Sequence, residues 1–180
     1  MKFKLIACIN ERNVIGRNGG LLYSIKNDLK NFKRMTTNNV VIMGRKTFES
    51  LPNKSPLPNR INIIVTSDDS FNVDKNDNVF IVHSINEVVD LCNAFFSDKE
   101  LFVIGGGSLY NQFLDLNLVN EALITKVNDD SFEEGDVTIN TPWDSDDGWK
   151  VYYESYAQRQ RCDNDDISYK FIIYKNYGEN

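Results

Sequence analysis

Leu101-Phe102-Val103-Ile104-Gly105-Gly106-Gly107-Ser108-Leu109-Tyr110 decides the fold class. Four apolar residues without polar alternation read as a strand buried on both faces, the kind found in parallel sheets. Three glycines end it, and residues 108–114 read as a helix. Glycine lets a backbone come close to a ligand, and a helix N-terminus presents unpaired N–H groups to an anion. The turn is not the dinucleotide fingerprint G-x-G-x-x-G, because Tyr110 stands where the last glycine would be. Taken alone, a structural turn explains it as well as a phosphate site does.

The same strand–turn–helix order recurs outward from this unit. Residues 5–9 read as a strand, followed by a loop over 10–23 that holds Gly16, Gly19 and Gly20. A helix is predicted over 24–35 and a strand over 40–43. Gly44-Arg45-Lys46-Thr47 then opens a short helix that ends near Leu51. Pro52, Pro56 and Pro58 mark a turn-rich connection to the strand Ile61–Val65. A further strand, Val79–Val82, precedes a helix over 85–96. The tail reads differently: 121–127, 150–158 and 167–174 are strands with no helix between them. Alternating strands and helices imply a mostly parallel sheet, and the tail implies an antiparallel edge. The expected fold is therefore α/β: a central, mostly parallel sheet with an antiparallel C-terminal edge and helices on both faces, in a single domain over residues 1–180. Residues 128–147 carry eight acidic side chains and no basic ones, and read as an exposed loop.

With 180 residues, 41% hydrophobic and 12% aromatic, the chain can fill a full core. A net charge of −6 disfavours a nucleic-acid binder. The charge is uneven. Residues 1–66 carry 12 Lys/Arg against 3 Asp/Glu, and residues 67–180 carry 8 against 23. Either the surface is simply solvated unevenly, or the first third supplies cations to an anionic ligand. Cys8, Cys92 and Cys162 show no metal or disulfide spacing, so reduced thiols in the cytoplasm are expected. The start resembles a lipoprotein cleavage site, but its apolar stretch is short and Lys4 interrupts it, so no leader is expected. No stretch approaches the roughly 18 apolar residues of a membrane-spanning helix.

Within the first predicted helix, Ile25, Leu29 and Phe32 form an apolar stripe, with Asp28 about 60° from Ile25. A carboxylate beside an apolar face loses hydration and needs a partner or a proton. Arg45 and Lys46 at a helix start oppose the macrodipole, a cost that a bound anion would offset, although two solvated side chains remain an equal reading. Thr66 and Ser67 add hydroxyls at a third strand end. Ligands of open α/β sheets gather at such ends, so the three junctions converge on a phosphorylated cofactor. Arg60, after the stiff Pro58 turn, suits a bidentate grip on a carboxylate, although a surface arginine is the commoner case. His83, the sole histidine, reads as a junction residue. No metal-ligand cluster and no P-loop is found in the sequence.

Five motifs together resemble the dihydrofolate reductase family: Val14-Ile15-Gly16; Asp28-Leu29-x-x-Phe32-Lys33; Val41 through Ser50; Leu57-Pro58-Asn59-Arg60-x-Asn62; and Val103-Ile104-Gly105-Gly106-Gly107-x-x-Tyr110. They occur in the family's order and spacing over about residues 4–174. The resemblance implies NADPH-dependent reduction of 7,8-dihydrofolate to tetrahydrofolate, by hydride transfer to pterin C6 and protonation of N5. By position, Asp28 matches the active-site acid that bonds the pterin amino group and ring N–H, and Thr125 the threonine that supports it. Ile6, Leu29, Phe32 and Leu51 match the apolar substrate wall. Arg60 matches the arginine on the glutamate α-carboxylate. Cys8 and the loop residues Val14, Ile15, Gly16, Asn18, Gly19, Gly20 and Leu21 match the nicotinamide side. Gly44, Arg45, Lys46, Thr47, Thr66 and Ser67 match the phosphate side. Gly105 and Gly106 match the family's cis pair. Ile104, Gly107, Ser108, Leu109 and Tyr110 complete the cofactor set.

The chain departs from the family where Pro-Trp usually precedes the first helix: here Leu22-Tyr23 stands. Tyr23, counted with Asp28 and Thr125 among the catalytic residues, keeps an aromatic wall but exchanges an indole N–H for a hydroxyl. The resemblance further implies antifolate binding, a monomer, and no fused thymidylate synthase. Two other readings stand beside it. One is a same-fold NADPH reductase of another heterocycle, such as the riboflavin-pathway pyrimidine reductase. It would not be expected to combine Asp28, Leu29, Phe32 and Arg60. The other is a non-catalytic NADPH- or folate-binding protein, for which the surviving acid gives no support.

Overall fold

Strand β1 (Phe3–Asn10) alternates buried and half-buried side chains, so its two faces differ from the start. Leu5, Ala7 and Ile9 enter the main core, while Ile6 and Cys8 point to the other face. The computed structural model describes residues 2–74, 77–129, 135–145, 148–162 and 165–178. Two short strands, β2 (Val14–Arg17) and β3 (Gly20–Leu21), precede helix α1 (Lys26–Thr36). Strand β4 (Val40–Gly44), helix α2 (Arg45–Ser50), strands β5 (Ile61–Val65) and β6 (Val79–Val82), helix α3 (Ile85–Phe95), strand β7 (Leu101–Gly105) and helix α4 (Gly107–Asp115) follow. The chain continues through β8 (Val119–Asn128), β9 (Val137–Thr138), β10 (Trp149–Glu154), β11 (Gln158–Cys162) and β12 (Asp165–Asn176).

Among the described residues the main sheet runs β10-β12-β8-β1-β7-β4-β5-β6, with β11 paired to β12. β8, β1, β7, β4, β5 and β6 are parallel, and β12 runs antiparallel to β8. The predicted parallel sheet with an antiparallel C-terminal edge is the one observed. On one face α3 and α4 pack Ile85, Val88, Cys92, Leu109 and Phe113 against Leu5, Ile42, Ile63 and Val103. On the other, Phe48 of α2 packs on Val41, Met43 and Ile64. No described helix is long and apolar enough to cross a membrane.

Three expectations change. The loop over 10–23 contains the β2–β3 hairpin, and β9 adds a third strand to it. Residues 150–158 form two strands with a break at 155–157, not one. The acidic stretch 128–147 is not wholly exposed. Ile139 and Trp143 are buried, with Trp143 stacked 5.5 Å from Tyr174 and edge-on to Trp149 at 5.7 Å. The high density of carboxylates hid these isolated apolar anchors. Residues 130–134 and 146–147 of that stretch lie outside the described residues.

Candidate active site

The chain leaves β1 for β4, β5 and β6 on one side, and then β7 returns to fill the place between β1 and β4. Such a switch in strand order opens a crevice at the carboxyl ends of the strands. Ile6 and Cys8 of β1 and Ile104 of β7, all half-buried, form its floor. One flank is the α1 side, where Tyr23 and Ile25 pack with Val127 and Tyr169 against Cys8. The other is α2, where Leu51 and Ile104 pack against the Phe48 cluster.

Asp28 sits on the inner edge of α1, half-buried, and accepts a hydrogen bond of 2.5 Å from Thr125 Oγ1. Thr125 is 4% exposed and lies directly beside Cys8 in the β1–β8 register. Burial pushes the Asp28 carboxyl above its usual range, and the threonine bond opposes that in part. Burial, and then the charge of Asp28, pushes the Cys8 thiol well up, so it stays a neutral thiol. The apolar stripe divides along the helix. Ile25 is fully buried, Phe32 is half-buried and Leu29 is 43% exposed. The cap residue Ile25 is core, and the middle of the helix is an open wall facing the crevice.

Tyr23 is buried, and its hydroxyl donates to Asp129 Oδ2 at 2.6 Å. Burial, and next the Asp129 bond, pushes the phenol above its usual range, so it remains a donor. Its proton is committed to Asp129 rather than to Asp28.

Arg60 is 6% exposed, although the sequence could equally have placed it at the surface. Its Nε donates to Pro58 O (3.0 Å) and its Nη1 to Thr36 Oγ1 (3.1 Å), and its guanidinium lies 5.9 Å from the Phe32 ring. Among the described residues no carboxylate pairs with it. Burial alone lowers its affinity for a proton, the mark of a cation kept without a counter-charge. The turn that aims it is held by Asn62, fully buried: Oδ1 accepts from Leu57 N (2.9 Å) and Nδ2 donates to Leu57 O and Arg60 O (both 3.0 Å). Asn62→Ala is expected to cost about 3 kcal/mol in urea unfolding, because it removes these bonds and strands buried backbone groups.

At the opposite end of the crevice the carboxyl ends of β4 and β7 meet. The Gly105–Gly106 peptide is cis. A Cβ on Gly44 would lie 3.9 Å from Gly105 O and Gly106 N, and one on Gly106 would lie 3.3 Å from Thr47 Oγ1. Neither α2 nor α4 receives a side-chain cap at its N-terminus. This bare glycine cradle, with exposed Lys46 and Ser67 at its rim, fits a pyrophosphate-bearing dinucleotide. Arg45 stands there too, paired with Glu49 at 2.9 Å. Thr66 is buried, and its Oγ1 accepts from Asp68 N. Tyr110, also buried, donates its hydroxyl to Ile6 O at 2.6 Å and so ties α4 to the crevice floor. Ser108 is exposed on the same turn.

One expected cofactor residue turns away. Leu109 is 5% exposed within the α3/α4 core, and its amide donates to Gly106 O. The helical phase carries its side chain to the far face. The hairpin rests on the start of α4, for a Cβ on Gly107 would come 3.7 Å from Ile15 Cδ1. Val14 and Gly16 are buried there, while Gly19, Gly20 and Leu21 are exposed. Asn18 N–H donates to Asp136 Oδ2 at 3.0 Å.

Sequence reasoning passed over Thr36, Asn62, Asp129 and Asp136 in their supporting roles. Asn62 had a signal, being a polar residue inside an apolar strand. The two acids had none, because they lie in a run that reads as solvated.

Comparison with known proteins agrees with this geometry. The family model for dihydrofolate reductase matches residues 2–176. The dihydrofolate reductase of Bacillus subtilis is 33% identical over 172 residues, covering 94% of this chain and 92% of that one. That of Saccharomyces cerevisiae is 36% identical over 136 residues, 69% of this chain and 64% of the other. A solved structure of Enterococcus faecalis dihydrofolate reductase, complexed with NADP(H) and RAB-propyl, superposes with a TM-score of 0.76 at 25% identity, covering 97% of this chain and 96% of that one. With a family model spanning nearly its whole length, a relative aligned end to end and a matching solved fold, this chain belongs to the dihydrofolate reductase family.

Proposed function

We infer that the protein reduces 7,8-dihydrofolate to tetrahydrofolate with NADPH, the activity of the family to which it belongs. The observation that carries the reading is a half-buried carboxyl, Asp28, steadied by Thr125 at one end of a crevice whose other end is a glycine cradle. The chemistry bound NADPH supplies is a hydride, delivered to pterin C6. The remaining work falls to the side chains. Asp28 accepts from the pterin amino group and ring N–H, and its raised affinity for a proton suits a group that helps bring one toward N5. Thr125 fixes which way that carboxyl faces. Ile6, Leu29, Phe32 and Leu51 exclude water from the reacting ring. Arg60, buried without a counter-charge, takes the glutamate α-carboxylate, which supports a folate over a heterocycle lacking that tail.

Gly44, Thr47, Gly105 and Gly106 would hold the pyrophosphate, with the Gly107–Tyr110 turn behind them. Arg45, Lys46, Thr66 and Ser67 would hold the 2′-phosphate end. Arg45 must share or release Glu49 to do so. Antifolates would enter the same crevice. A cytoplasmic monomer with one catalytic domain is the setting we assign, and the free thiols of Cys8 and Cys92 support a reducing compartment.

Following NADPH absorbance after addition of dihydrofolate tests the reading. Substrate-dependent loss is expected, and its absence would overturn it.

A further inference from the structure

Asn10 closes β1, Tyr23 precedes α1, and the β2–β3 hairpin lies between them. Asn10 is 3% exposed, and its Oδ1 accepts the N–H groups of Arg12 (2.9 Å) and Val14 (3.0 Å), shaping the first bend of the loop. In the sheet Asn10 stands directly beside Val127 of β8. The Tyr23 phenol donates to Asp129, one residue beyond β8. The entrance of the loop is therefore tied to β8 by strand pairing, and its exit by the Tyr23–Asp129 bond.

The loop needs such a hold. Its tip residues Gly19, Gly20 and Leu21 are exposed, with Leu21 at 66%. Burial does little to fix them. The outer anchor is Asp136, which accepts from Asn18 N–H and donates its own N–H to Gly16 O at 3.1 Å. The inner anchor is the Tyr23–Asp129 bond.

We propose that Asp129 is a positioning residue: by holding the Tyr23 hydroxyl it ties the exit of the 11–22 loop to the end of β8 and keeps that loop over the nicotinamide side of the crevice. The proposal rests on the cofactor assignment above.

The test compares Tyr23→Phe, Asp129→Ala, Asp129→Asn and the double variant Tyr23→Phe/Asp129→Ala with the wild type. The readouts are NADP+ dissociation by stopped-flow fluorescence, KM for each substrate, and the thermal midpoint. Tyr23→Phe and Asp129→Ala should each speed NADP+ release and raise KM for NADPH by roughly tenfold, the scale of one charge-assisted hydrogen bond. Asp129→Ala should leave KM for dihydrofolate within about twofold, because the latch bears on the cofactor side alone. Asp129→Asn keeps an acceptor oxygen and should recover most of the loss. The double variant should be no worse than either single one, since both break the same hydrogen bond.

Unchanged NADP+ release in Asp129→Ala would overturn the proposal. So would additive effects in the double variant, or a parallel rise of both KM values with a fallen midpoint, which would mean general loosening. Should Tyr23→Phe not fold, the two Asp129 variants still decide. A wild type that binds NADP+ without reducing dihydrofolate would sink the reductase reading instead, and the release rates would still read the latch.

Discussion

Asp28→Asn should fold, bind NADPH and turn over dihydrofolate about a hundredfold or more slowly at neutral pH, the scale for loss of an acid–base group. Asparagine keeps the shape and can still accept from Thr125, so the loss isolates the carboxyl's charge and its proton. A rate within severalfold of wild type would remove Asp28 from the mechanism. The same variant should also be more stable than wild type at neutral pH. Burial raises the folded-state pKa of Asp28 above its unfolded value. Between those two values the folded state binds more protons, so stability falls as pH rises through that window, and the cost persists above it. Asparagine carries no such cost. Urea midpoints should therefore favour Asp28→Asn at neutral pH, with the gap shrinking as pH falls through the raised pKa. A gap that is constant with pH would mean that the carboxyl is not desolvated.

Arg60→Ala should raise KM for dihydrofolate by about a hundredfold and change kcat by only severalfold, because a charge-assisted bidentate contact far from the reacting atoms contributes chiefly to binding. Thr36 and Pro58 lose a partner as well, so some stability goes with it. A substrate analogue lacking the glutamate α-carboxylate separates the two effects. Wild type and Arg60→Ala should bind that analogue about equally. If Arg60→Ala binds it far more weakly than wild type does, the loss is structural. Arg60→Lys should rescue poorly, since a point ammonium cannot reproduce the planar fork.

Much of the fold was legible because period and punctuation agree in it. β5 and β6 run over the predicted residues, and α3 ends one residue early. Helix α1 starts at Lys26 rather than 24 because Ile25 is extended (φ −92°, ψ 113°) and acts as its cap. An isoleucine there carries no capping signal, so side-chain pattern alone drew the helix too far back. Asp28 and the glycine turn could be singled out because each carries a local oddity that a ligand would explain, and Thr125 could be reached through the family resemblance. Asp129 and Asp136 could not. Their significance comes from what folds against them, and a carboxylate in an acidic run has no local oddity. The direction of the Leu109 side chain was not legible for a related reason. A motif marks a turn as important without saying which residue of the following helix faces the ligand.

The divided stripe on α1 bears on how the protein fares in a cell. Along the helix itself only Thr36 is buried, while Leu29 and Phe32 wait for something apolar to cover them. A bound folate or antifolate supplies that cover, so the occupied protein is harder to unfold, in proportion to the logarithm of ligand concentration over its dissociation constant. Unfolded chains are what proteases remove. Exposure to an inhibitor should thus lengthen the lifetime of the molecules it blocks, and a culture treated with a tight-binding antifolate would accumulate its own target.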